Sequence, residues 1–81
     1  LKMEDQKTSG KGTILAGESK VEIKTPEASK DVKIYITPTD KLGGRGLYVD
    51  LESIEEGKSF LVKLDGEVMD QDIRFNWLII K

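Results

Sequence analysis

Beyond residue 12, apolar and polar side chains alternate in short runs set off by turn residues. That period of two marks strands buried on one face only. Thr13 to Ala16, closed by Gly17-Glu18, is predicted as the first strand, and Lys20 to Thr25 as the second, with Val21 and Ile23 on one side and Lys20, Glu22 and Lys24 on the other. The two are expected to form a hairpin. The Pro26 to Asp31 stretch reads as a loop. The third strand runs from Val32 to Thr37, with Val32, Ile34 and Ile36 inward and Lys33, Tyr35 and Thr37 outward, and Pro38 ends it. An exposed loop, Thr39 to Gly46, carries three glycines. Leu47, Val49 and Leu51 share one face of a fourth strand, opposite Tyr48. After a charged turn over Ser53 to Lys58, the fifth strand buries Phe60, Val62 and Leu64, and Asp65-Gly66 is a hairpin signal toward the sixth.

The sixth strand, Asp72 to Lys81, first alternates Ile73, Phe75, Trp77 and Ile79 against Arg74 and Asn76. The alternation then fails. Leu78 and Ile80 are apolar on the side that should meet water, so the strand end is apolar on both faces and requires a cover. No stretch repeats apolar residues at the helical spacing. The predicted fold is therefore all-β, a six-stranded antiparallel sandwich or small barrel over residues 12–81, preceded by a polar linker or N-terminal arm over 1–11.

The cover for Leu78 and Ile80 has two sources: the arm, through Leu1 and Met3, or another subunit. A second copy is preferred, because a chain of 81 residues buries a modest share of its surface by itself. Trp77 continues the Ile73-Phe75 face and reads first as core, with a part in the same interface as its second reading. Trp77, Leu78 and Ile80 are thus the expected interface residues of a homo-oligomer.

Composition narrows the chemistry. With 13 basic residues against 15 acidic ones and a net charge of -2, nucleic acid is not an expected partner. Cysteine and histidine are both absent, which removes disulfides, thiolate catalysis, the usual zinc sites and His-dependent general bases. No apolar run approaches the roughly 20 residues that a membrane-spanning helix needs, so membrane insertion is not expected. Leu1 at the start, with no signal-peptide pattern after it, suggests a piece of something longer. The many lysines, interleaved with acids, are compatible with a thermophilic source.

Other candidate sites arise from the remaining polar residues. Asp65, Glu67, Asp70 and Asp72 crowd one turn, a density of hard oxygen donors that suits calcium, although the spacing is not that of an EF-hand. No other cofactor is expected. The plain reading is a solvated acidic turn. The same carboxylates acting as the acid and base of a hydrolase form a weaker reading, since nothing in the pattern buries one of them. Gly43-Gly44-Arg45-Gly46 lacks the ending and context of a phosphate-binding loop. Ser53 and Ser59 have no histidine partner. Outward Tyr35 and Tyr48, with Asp40 and Arg45 near the glycine loop, form a candidate shallow sugar-binding site. Two tyrosines that merely stabilise their sheet faces are the alternative.

The segments Ile34-Tyr35-Ile36-Thr37-Pro38-Thr39, Leu47-Tyr48-Val49, Ser59-Phe60-Leu61-Val62 and Asp72-Ile73-Arg74-Phe75-Asn76-Trp77-Leu78-Ile79-Ile80 carry a resemblance. Over residues 10–81 the chain resembles the small β-sandwich modules that close phage tail-fibre-like proteins and large bacterial surface proteins. More distantly it is similar to H-type lectins, six-stranded sandwiches that form trimers and bind sugar. The resemblance implies a non-enzymatic structural or attachment module, extracellular, at a cell surface or in a virion, that self-associates with a trimer as one form. A carbohydrate-binding module with a glycan or host-surface ligand is the alternative.

Overall fold

The two most apolar runs of the chain take the centres of two sheets, because a central strand has neighbours on both edges and buries the most surface. The computed structural model describes residues 8–80. Its elements are β1 (Ser9–Ile14), β2 (Lys20–Lys24), β3 (Lys33–Pro38), β4 (Gly46–Val49), a 3₁₀ turn at Leu51–Ser53, β5 (Ser59–Asp65) and β6 (Ile73–Ile80). One three-stranded sheet has the order β1-β6-β3 and the other β2-β5-β4, every pairing antiparallel. The expected all-β, six-stranded sandwich is what the chain forms.

Between the sheets, Ile73, Phe75, Trp77 and Ile79 of β6 meet Phe60, Val62 and Leu64 of β5, with Ile14 and Ile23 beside them. Phe60 and Trp77 pack edge to face, ring centres 5.6 Å apart at 77°, and so join the two sheets at their middle strands. Ala28 and Ile54, from connecting segments, are also buried in this core.

Both expected hairpins are corrected. β1 and β2 lie in different sheets, and so do β5 and β6. The Leu15–Ser19 connection crosses from sheet to sheet, pinned where the Gly17 N–H donates to the Met69 carbonyl at 2.8 Å. Residues 66–72 make the second crossing. Both segments are long enough to span the roughly 10 Å between facing sheets. Of the described strands, only β4 and β5 are consecutive neighbours in one sheet.

The first strand begins earlier than its pattern suggested, at Ser9, so residues 9–11 pair with β6 although they read as arm. Its inward positions are Gly10, Gly12 and Ile14, and the glycines conceal the alternation. Their missing side chains are filled by the rings of β6: a Cβ at Gly12 would lie 2.5 Å from the Phe75 ring, and one at Gly10 would lie 3.0 Å from Trp77. Leu51 also departs from expectation. It is 57% exposed, because β4 stops at Val49 and Asp50 caps the following turn by accepting the Glu52 N–H at 3.1 Å.

Candidate functional site

The alternation along β6 places Arg74, Asn76, Leu78 and Ile80 on the outer face of the first sheet. Register then decides their neighbours. Leu78 stands between Ser9 of β1 and Tyr35 of β3, and Ile80 stands beside Lys33. Tyr35 is 52% exposed, Leu78 43% and Ile80 44%, so three large side chains form one apolar patch that the described residues leave half open. The proposed cover through Leu1 and Met3 lies outside the described residues. Trp77, grouped with Leu78 and Ile80 as an interface residue, faces the other way: it is 5% exposed and belongs to the core, as β6's period of two requires.

The four residues of the supposed sugar site do not come together. Tyr35 and Tyr48 sit on outer faces of opposite sheets and point away from each other. Tyr48 stands across from Lys63, whose ammonium is 2.6 Å from the Asp50 carboxylate. That contact holds the Asp50 carboxyl below its usual range and raises the Lys63 amine above its own.

Asp40 is engaged by Arg74. Its carboxylate accepts the Arg74 backbone N–H at 2.8 Å, Nε at 2.9 Å and Nη2 at 2.8 Å. The side-chain bonds first, then the backbone bond, lower the Asp40 pKa to about 2. Arg45 is likewise occupied: Nε donates to the Glu67 carbonyl at 2.6 Å, and Nη1 donates to the Leu42 carbonyl at 3.1 Å. Asp40 and Arg45 therefore fasten loops to the sandwich.

Nor do the carboxylates of the 65–72 turn converge. Among the described residues, no three acidic groups are arranged to hold a metal ion. The Asp72 carboxylate accepts the Ala16 N–H at 2.9 Å, which ties this turn to the end of β1. Asp65, Glu67 and Asp70 are exposed. Ser59 is buried at the start of β5.

A groove of about 600 Å³ runs between the edges of β1 and β2, over Gly10, Ile23 and Trp77, with Lys11, Glu22 and Lys24 on its rim. It opens where Gly10 has no side chain to cover the indole. The sequence offered no sign of it, because the two edges meet only in the tertiary fold. The partnership of Tyr35 with Leu78 was hidden for the same reason: outward direction is legible from alternation, but register is not.

Chemically, the β6 face offers burial and little else. Completing the burial of half-exposed Leu and Ile side chains adds a fraction of the about 1.5–3 kcal/mol that full burial of one such side chain supplies. No helix among the described residues is long and apolar enough to cross a membrane. Compared with protein-family models, curated proteins and solved structures, the chain has no match.

Proposed function

We propose that this chain is a non-enzymatic structural or attachment module of an extracellular, cell-surface or phage-tail-like assembly, and that it associates with its own copies through the outer face of β6. The observation that carries the reading is the half-open patch of Tyr35, Leu78 and Ile80, three large side chains that neighbour one another on the outer face of the first sheet. A scattered exposed Leu is ordinary, whereas a contiguous group on a sheet face is what a partner covers. The self-association part is tested by sedimentation velocity over a concentration series. An assembly that Leu78→Glu or Ile80→Glu disperses, with the β-sheet circular dichroism unchanged, supports it. A compact monomer at every concentration rejects it.

The carbohydrate-binding reading keeps Tyr35 alone of its original residues, now on the same face as Thr37 and Asn76. A glycan array probed with and without calcium tests it, and binding that disappears in Tyr35→Ala is the result it requires.

A further inference from the structure

The strands of the β6 sheet carry charges of one sign. β1, β3 and β6 together contain Lys11, Lys33 and Arg74 and no Asp or Glu. Arg74 is committed to Asp40. Lys11 and Lys33 have no ion pair among the described residues, and they flank the patch: Lys33 pairs with Ile80, and Lys11 sits one row from Leu78. Two copies meeting face to face about a two-fold axis would bring these unpaired lysines together around the apolar centre. Like charges at a closing interface oppose it. A complementary surface is instead acidic around an apolar centre.

The chain carries such a surface at the other end of β6. In the turn that leads into the strand, Val68 is 52% exposed, and Asp65, Glu67 and Asp70 around it have no ion pair among the described residues. No Lys or Arg lies between Leu64 and Ile73 in sequence. Among the described residues, the one cation packed against this turn, Arg45, is engaged by the Glu67 and Leu42 carbonyls, so among the turn's own side chains the charge is acidic. The other acid-rich turn is less available, because Asp50 is held by Lys63 and Glu56 accepts the Lys30 N–H at 2.9 Å. At about 3.3 Å per residue, the two ends of β6 are roughly 23 Å apart, so the patch and the acidic turn of one copy do not meet.

We infer that the Tyr35-Leu78-Ile80 face receives the Val68 turn of a second copy of this chain, in a head-to-tail contact. The inference rests on the self-association proposed above and specifies its geometry. Each copy in such a contact keeps one unused surface, so the assembly closes into a ring if the rotation permits and otherwise grows as a fibre. The acidic turn then serves as a plug, with Val68 entering the apolar patch while Glu67 and Asp70 meet the lysines.

Mixing two variants of the full chain distinguishes the possibilities. One is Leu78→Glu, which spoils the face. The other combines Glu67→Lys, Val68→Ser and Asp70→Lys, which spoils the turn. All these positions are exposed or half-exposed, and circular dichroism checks that both variants fold; Lys33→Glu is the second face variant if Leu78→Glu does not. Native mass spectrometry and sedimentation are expected to show each variant alone as a monomer, with its self-association weakened about tenfold or more. The mixture is expected to give a one-to-one heterodimer that grows no further, since only one good face and one good turn remain to be joined. A turn variant that assembles like the unaltered chain, or a mixture that stays monomeric, overturns the head-to-tail geometry while leaving self-association standing. An unaltered chain that is monomeric throughout overturns both.

Discussion

Arg74 meets Asp40 three times, through its backbone N–H, Nε and Nη2, at 2.8, 2.9 and 2.8 Å. The contact joins the start of the glycine-rich loop to the central strand of the first sheet. The Thr39 N–H adds to it by donating to the Arg74 carbonyl at 2.9 Å, so β3 leaves the sheet along a defined path.

This pair sets an acid limit. Asp40 has its folded pKa lowered from 3.8 to about 2, so its contribution is fully present above the unfolded value and is lost as pH falls through the folded one. Thermal unfolding followed between about pH 4 and pH 2 is expected to show a falling midpoint. Asp40→Asn should lower the midpoint at neutral pH and flatten this part of the acid dependence. A variant whose profile overlays the original would show that the pair is without consequence.

Gly12 is where β1 approaches the core most closely. In Gly12→Ala, the new methyl would lie 2.5 Å from the Phe75 ring and 2.9 Å from the Ile23 side-chain tip, and Phe75 is fully buried. The expected cost is about 1–3 kcal/mol, the usual range for overpacking. Urea unfolding measures it, and an unchanged midpoint would mean that the β1 edge yields freely.

Neighbouring residues on β6 should behave oppositely. Trp77→Ala removes the indole that packs on Phe60 and is expected to destabilise the fold by about 3–5 kcal/mol. Leu78→Ser, one position on, should cost the monomer only about 1 kcal/mol, since close to half of this side chain is already exposed. Denaturation of both at a concentration where the chain is monomeric provides the comparison. Equal losses would contradict the inward and outward assignment.

Calcium is expected to be without effect on folding. Asp72 already accepts the Ala16 N–H, and no three acidic groups converge among the described residues. The thermal midpoint at millimolar calcium should match that in chelator. A rise that Asp70→Asn abolishes would show that the turn rearranges around the ion.

Alternation carried much of this protein openly. Val21 and Ile23, Ile34 and Ile36, and the β6 row from Ile73 to Ile79 all face the core side that their spacing predicts, because successive strand side chains point to opposite faces. The outward direction of Leu78 and Ile80 followed from the same rule. β1 was less legible, since glycine bears no polarity and a strand whose inward side is Gly10 and Gly12 shows no period. The candidate sugar site failed for a related reason: Tyr35 and Tyr48 were each known to be outward, but nothing local says which sheet a strand joins.

The chain's own pattern thus determined the strand class, the strand residues that make up most of the core and which side chains of β6 reach water, all consequences of a two-residue period and the free energy of apolar burial. Tertiary structure alone decided that consecutive strands mostly part company, that Tyr35 completes the patch of Leu78 and Ile80, and that Asp40 and Arg45 are occupied in holding loops. Pairing and register are choices among distant segments, made by the packing of β5 against β6 and by bonds across the chain. Such choices leave no mark in a run of neighbouring residues.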